Sequence, residues 1–223
     1  MKALKISEAV VRRLPIYLRH LMELKKHEVL TVSSQDLGQK LDLNPAQIRK
    51  DLAYFGDFGR KGIGYDVSYL IEQIRHILKL DIKINVALVG AGKLGHALCN
   101  YTAYLRDNMR IVAVFDAQPD KVGSAINNLQ VQPMEDLIDT VKAMGIRIGI
   151  ITVPDTDAQH VADQFVEAGV EAILNFAPVI LKVPSHVRVH TADFTTDLFS
   201  LAYYLQDEEG KESIKDEETV HHP

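Results

Sequence analysis

Six residues, Gly90-Ala91-Gly92-Lys93-Leu94-Gly95, carry the spacing G-x-G-x-x-G. In that pattern the first glycine permits a tight turn, the second lets backbone approach a pyrophosphate, and the third lets a helix pack close to a strand. The free amides and dipole at the start of the following helix favour phosphate charge. Asp116 stands 21 residues after Gly95, close to the spacing expected of a ribose hydroxyl acceptor. A carboxylate there disfavours a 2′-phosphate, and Ala117-Gln118 supplies no arginine to receive one, so NADH or NAD+ is expected rather than the phosphorylated forms. Thr152-Val153-Pro154 and Asn175-Phe176-Ala177-Pro178 fall where two further strands should end, the edge along which open α/β sheets bind ligands.

A second set of residues lies near the N-terminus. Gln47, Arg49, Lys50 and Tyr54 fall on the outward side of a short helix, and Arg60-Lys61 sits between glycines a few residues later. Donors on a second helix followed by cations at a hairpin tip are the layout of a winged helix-turn-helix, the helix for a major groove and the wing for phosphates or a minor groove. Either cation pair alone would be unremarkable on a solvated surface. Their order behind Asn44-Pro45 favours double-stranded DNA.

The elements that must hold these residues can be read from periodicity. Residues 7–30 form one helix, with Ser7 as cap and Val10, Leu14, Tyr17, Leu18, Leu21 and Leu24 as its buried stripe; Pro15 predicts a kink or restart. A second helix begins near Ser33–Asp36. The third covers Ala46–Phe55 behind the Asn44 cap and Pro45, burying Ile48, Leu52 and Phe55. Gly56–Tyr65 reads as the wing, and Asp66 to about Leu80 as a helical connector. Ile84–Val89 is an apolar run of the parallel-strand type, leading through the glycine turn into a helix from His96 to about Leu105. The alternation continues with strand Arg110–Asp116, helix Met134–Ala143, strand Ile146–Val153, helix Asp155–Ala168 and strand Ala172–Leu174. The fold class is therefore α/β: a winged-helix domain with its connector over 1–80, a Rossmann-type doubly wound parallel sheet over 81–192, a C-terminal helix over 193–206, and an acidic tail over 207–223 expected to be disordered.

Composition agrees with this division. The 223 residues are 47% hydrophobic and 25% charged, with net charge −5. Residues 1–65 carry twelve Lys/Arg against seven Asp/Glu, and the remainder thirteen against twenty-three. A basic block on an acidic protein points to a polyanion partner for that block. No run of about 18 apolar residues is present and the N-terminus lacks the pattern of a secretory signal, so a cytoplasmic location is expected. One cysteine, Cys99, excludes an internal disulfide and a cysteine-rich zinc site, and its place on a sheet-packing helix predicts an inert buried thiol.

A dehydrogenase needs an acid or base beside the hydride acceptor and room for substrate. His160, His186 and His190 are candidates, yet none stands in a catalytic context, and only about 45 residues follow Pro178. No catalytic residue and no metal ligand is assigned. The bound nucleotide reads as a signal; an NAD-dependent oxidoreductase with a basic extension is the alternative, and a nucleotide fold without a ligand a third.

The layout resembles the Rex family of redox-sensing transcriptional repressors from Leu14 to about Leu205. The resemblance rests on Gln47-Ile48-Arg49-Lys50-Asp51-Leu52-Ala53-Tyr54-Phe55-Gly56, Gly62-Ile63-Gly64-Tyr65, the glycine turn, and Ile173-Leu174-Asn175-Phe176-Ala177-Pro178. It implies a repressor homodimer on an inverted-repeat operator, released by NADH, with NAD+ competing. It also implies that the helix near Phe194–Leu205 is exchanged between subunits, and that Phe194 lies by the partner's nicotinamide. A switching network would fall on Arg19, Tyr101 and Asp193.

Overall fold

The computed structural model describes residues 6–56, 58–60, 63–101 and 108–217, with Arg60, Tyr101 and 206–217 as backbone only. The chain divides into two compact units, Met1–Lys83 and Ile84–Pro223.

In the first unit, helix α1 spans Glu8–Lys26, capped by Ser7, with Val10, Leu14, Tyr17, Leu18 and Leu21 buried at the spacing of one helical face. It runs through Pro15 with no restart. The buried residues lie on both sides of that position and offset the hydrogen bond that proline removes. Strand β1 (Thr31–Val32) leads to α2 (Ser34–Leu41), whose start is held by a capping box between Ser33 and Asp36. Asp42 takes a left-handed conformation at φ 52°, turning the chain into α3 (Pro45–Ala53) behind the Asn44 cap. The turn is tight: a Cβ on Gly38 would lie 2.6 Å from the Leu43 carbonyl oxygen. Strands β2 (Gly59–Arg60) and β3 (Gly64–Asp66) make the wing, with β1 as a third antiparallel strand in the order β1-β3-β2. Helix α4 (Val67–Ile77) closes the unit by packing against α1 through Val67, Leu70, Ile71 and Ile74.

The second unit is built on strands β4 (Ile84–Val89), β5 (Met109–Asp116), β6 (Ala125–Ile126), β7 (Leu129–Pro133), β8 (Ile148–Ile151), β9 (Ala172–Asn175) and β10 (Arg188–Thr191). Among the described residues they form one sheet, in the order β10-β9-β8-β4-β5-β7-β6, parallel except for the β6–β7 hairpin. Helices α5 (Lys93–Tyr101), α6 (Leu137–Ala143, entered by a 3-10 turn at Met134–Asp136) and α7 (Asp155–Glu167) connect the strands. Successive side chains of β4 point to opposite faces. Ala87 and Val89 pack with Leu137, Val141, Ala158 and Phe165, while Val86 and Leu88 pack with Cys99, Ile111 and Val131. A sheet apolar on both faces is what a doubly wound fold demands. Burial pushes the Cys99 thiol up to about 11, so it is un-ionised at neutral pH.

Two features depart from the sequence expectation. Strands β1, β6, β7 and β10 are additional; β1 and β6 are only two residues long. The last helix, α8, spans Phe194–Glu217 instead of ending near 206. Its acidic run also contains Gln206, Glu208, Glu209 and Lys211, and these residues propagate a helix well. Residues 218–223 lie outside the described residues.

Candidate nucleotide and nucleic-acid sites

In the second unit, β4 lies between β5 and β8. From β4 the chain proceeds outward to β5 and β7, then returns to the other side of β4 with β8 and continues to β9 and β10. This reversal makes a topological switch point outside the carboxyl ends of β4 and β8, where open α/β sheets receive ligands. Gly90 and Thr152 occupy those two ends.

Gly90 has φ 109°, and a Cβ there would meet Thr152 Oγ1 and its carbonyl oxygen at 2.7 Å. The Thr152 hydroxyl lies 2.9 Å from the carbonyl oxygens of both Val89 and Gly90, a bifurcated donor that fixes the turn to the neighbouring strand. A Cβ on Gly95 would fall 2.0 Å from the Gly90 carbonyl oxygen, so only glycine lets α5 start this close. At Gly92 a Cβ would meet nothing within 4 Å. The backbone there faces open space, as a turn that admits a phosphate must. Lys93 and Leu94 are exposed in the first turn of α5, whose leading amides have no intrahelical acceptor. The turn fits a diphosphate.

Asp116, at the end of β5, is buried. Its Oδ2 accepts from the Ala91 amide at 2.7 Å and pairs with Lys121 Nζ at 3.2 Å, and its Oδ1 accepts from the Gln118 amide at 2.9 Å. The acid therefore joins the glycine turn to the loop after β5. Lys121 was not foreseen, because its partner lies five residues back across a turn.

The other two segments share the same sheet edge. Val153 is half-buried and Pro154 exposed at the start of α7. Asn175 is fully buried. Its Nδ2 donates to the Ala177 and Val179 carbonyls at 2.9 and 3.0 Å, and its Oδ1 accepts from the Ala177 amide at 2.9 Å. That side chain shapes the loop, leaving half-buried Phe176, buried Ala177 and exposed Pro178 as the segment's other members. Phe194 is 74% exposed at the start of α8. Asp193 caps that helix, accepting from the Thr195 amide and the Thr196 hydroxyl at 2.9 and 3.0 Å; the Thr196 and Thr195 bonds hold its carboxyl below the usual range. Arg19 is exposed on α1, and the Tyr101 side chain lies outside the described residues.

In the first unit, Arg49 and Lys50 are exposed on α3, and Arg49 Nη1 donates to Ser34 Oγ at 2.9 Å. Tyr54, at the end of α3, is exposed as well. Gln47 is turned inward: its Nε2 donates to Asp51 Oδ1 at 2.6 Å. Asp51 is 0% exposed and also receives Arg13 through Nε at 2.5 Å and Nη2 at 2.8 Å, and the Tyr17 hydroxyl at 2.7 Å. Four donors match the roughly four lone-pair positions of a carboxylate. Burial pushes the Asp51 carboxyl upward, but the bonds from Arg13, Tyr17 and Gln47 and the Arg13 charge outweigh it and leave the pKa below its ordinary value. This cluster ties α3, the helix that presents Arg49 and Lys50, to α1. Arg60 contributes its backbone to β2, while its side chain and all of Lys61 lie outside the described residues.

His160, His186 and His190 are exposed, and among the described residues no three His, Cys, Asp or Glu side chains converge as a metal site. The His–carboxylate pairs, His20–Glu23 at 3.5 Å and His76–Asp81 at 3.4 Å, both belong to the first unit. No helix among the described residues is long and apolar enough to cross a membrane.

Comparison with known proteins matches residues 81–179 to a family model described as CoA binding domain, and residues 5–53 to one described as Putative DNA-binding protein N-terminus. The redox-sensing transcriptional repressor Rex of Brevibacillus brevis is 61% identical over 90% of this chain and 97% of its own length. The protein of the same name from Syntrophobacter fumaroxidans is 46% identical over 92% of this chain and 98% of its own. Among solved structures, RSP in complex with β-NAD+ and operator DNA superposes with a TM-score of 0.87 at 40% identity, covering 95% of this chain and 98% of that one. RSP in complex with β-NADH gives 0.85 at 38% identity over 94% and 99%.

Proposed function

This chain belongs to the Rex family of redox-sensing transcriptional repressors, and from that premise we propose that it represses transcription by holding an inverted-repeat operator until NADH binds. It is a DNA-binding regulator that takes NADH and NAD+; the second unit carries the dinucleotide and the first grips DNA. The observation that carries this reading is the glycine turn at the sheet's switch point, open at Gly92 and closed at Gly90 and Gly95, in one chain with a winged helix presenting Arg49 and Lys50. CoA and NAD share an adenosine diphosphate, which is the part the turn would receive.

The residue assignments follow. Gly90–Gly95 hold the diphosphate, Asp116 the adenosine ribose, and Thr152–Pro154 with Asn175–Pro178 line the nicotinamide end. Arg49, Lys50 and Tyr54 face DNA with the Arg60-Lys61 wing, while Gln47 supports them through Asp51. No catalytic residue is assigned; the nucleotide acts as a ligand. The chain works as a homodimer. On α8, Leu198, Phe199, Leu201, Tyr203, Tyr204 and Leu205 are between 54% and 73% exposed, an apolar surface far larger than a solvated helix carries. A second copy of the same helix and its neighbours would cover it, bringing Asp193 and Phe194 to the other subunit's site.

Selectivity for the reduced form can come from desolvation. Phe176 and Phe194 of the partner subunit would surround the ring with apolar surface, which penalises a cation and not a neutral ring. A difference of about 3 kcal/mol gives roughly a hundredfold preference. The ligand moves the dimer only if it binds one arrangement of the heads better than the other. The test is a mobility shift on inverted-repeat DNA with NADH and NAD+ titrated separately. Release by NADH at concentrations where NAD+ leaves the complex intact is expected. Equal retention with both nucleotides would overturn the reading.

A further inference from the structure

We infer that Lys121 is a second adenosine-ribose residue of the nucleotide site, and that it, together with Asp116, sets how strictly a 2′-phosphate is refused. This rests on the assignment of Asp116 to the ribose made above.

The argument begins with acceptor capacity. A carboxylate offers about four lone-pair positions. Three protein donors already address Asp116: the amides of Ala91 and Gln118 and the Lys121 ammonium. A vicinal diol brings two hydroxyl protons, and one acceptor position remains. The other hydroxyl needs a different partner, and a hydroxyl oxygen can equally accept. Lys121 provides the donor: an ammonium has three protons, one is directed at Asp116, and the side chain is still 31% exposed.

The placement of Lys121 is built in. The Gln118 amide is anchored on Asp116, and the Lys121 amide bonds back to the Gln118 carbonyl at 3.0 Å. The Lys121 carbonyl in turn accepts from the Ser124 amide at 3.0 Å and the Ser124 hydroxyl at 2.6 Å, and Gly123 ties the loop to Val131 at 2.9 Å. With both its backbone groups fixed, only the flexible stem of Lys121 moves, in an arc that includes the Asp116 carboxylate.

The consequence concerns specificity. A lone aspartate would repel a 2′-phosphate through its full charge, but here the ammonium cancels most of that charge at 3.2 Å. Refusal of the phosphate therefore depends on the carboxylate occupying both the space and the lysine. Remove the carboxylate, and Lys121 becomes a free cation beside the 2′ position.

The test measures NADH and NADPH binding by nucleotide fluorescence on the full chain and on Lys121→Met, Asp116→Ser and the double variant. Lys121→Met keeps the stem and removes the ammonium. It is expected to weaken NADH by about tenfold, the usual effect of losing a charged hydrogen bond at a partly exposed site. It should also widen the preference for NADH over NADPH, since Asp116 is then unscreened. Asp116→Ser should raise NADPH affinity relative to NADH, and the double variant should lose that gain. The inference is overturned if Lys121→Met binds NADH within twofold of the parent with an unchanged NADPH ratio, or if Asp116→Ser gains NADPH affinity to the same extent with and without Lys121. Should Asp116→Ser unfold, the NADH/NADPH ratio of Lys121→Met alone decides. Failure of the parent chain to bind NADH at all would instead refute the dinucleotide assignment itself, and Lys121 with it.

Discussion

Replacing Asp51 by alanine removes the acceptor of four hydrogen bonds at a point with no solvent exposure. Breaking a buried ion pair by deleting one partner costs about 3–5 kcal/mol, because the other charge is left uncompensated. The Arg13 side chain retains 22% exposure and can recruit water, which favours the lower end of that range. Tyr17 is fully buried and cannot, so its unpaired hydroxyl adds part of the usual cost of about 1–3 kcal/mol. A loss of about 4 kcal/mol is expected, about a third or more of the stability typical of a unit this size. Peptide-resolved hydrogen exchange on the full chain is the suitable assay: opening free energies in α1 and α3 should fall by that amount, and those of β4 and β8 should not change. The variant Arg13→Met/Tyr17→Phe/Asp51→Leu, which removes the ion pair and the buried Tyr17 hydroxyl together and leaves only the half-buried Gln47 without its acceptor, should recover at least half of the loss. The sign with pH is fixed as well. Asp51 has a folded pKa below its ordinary value of 3.8, so its contribution is complete above about pH 4 and disappears as the pH falls through the lowered value. Asp51→Ala should lack that portion of the acid slope. A loss below about 1 kcal/mol in α1 and α3 would refute the claim that this carboxylate joins the two helices.

Lys50→Ala should weaken operator binding by about tenfold to a hundredfold while the NADH titration is unaltered; an unaffected gel shift would remove Lys50 from the DNA face. Gly95→Ala forces a methyl group to within 2.0 Å of the Gly90 carbonyl oxygen, so α5 must back away from the turn. NADH affinity should drop by at least about tenfold on fluorescence titration, through the lost approach of backbone to phosphate. Leu201→Asp/Leu205→Asp places charge on the exposed face of α8, at positions 61% and 73% exposed. The parent chain is expected to sediment as a dimer and the variant as a monomer, and a dimer that persists in the variant would show that this face is not the interface.

Much of this architecture was legible in advance because its central strands are continuous apolar runs. The segment Ile84–Val89, the glycine turn and the α5 start follow one another with little ambiguity, and so does β5 ending on Asp116. The edge strands were not legible. The β10 strand, Arg188–Thr191, alternates too few apolar residues to stand out, and β1 and β6 have two residues each. Their pairing is decided by neighbours distant in sequence. The same reason hid the Asp51 cluster, whose partners Arg13 and Tyr17 lie 38 and 34 residues away. One local sign existed: Asp51 follows Ile48 by three positions and so shares the inward face that carries Leu52, and Gln47 stands one turn behind it. Helical spacing alone places Gln47 outward, and only the buried acceptor at Asp51 turns it in. The extent of α8 is hidden in the sequence because its acidic composition suggests disorder, while its glutamates and lysine individually favour a helix.

The single hydroxyl of Thr152, shared between the last carbonyls of the neighbouring strand, has a kinetic implication. On the proposed assignment of this turn to the nucleotide, the bond joins the two banks of the crevice before anything enters, so the cradle does not have to assemble around its guest. Arrival can then proceed at close to the encounter rate, and little affinity is lost to ordering the loop. A receptor preformed in this way follows the cell's pool of reduced nucleotide promptly, and any delay in gene response would arise at the DNA.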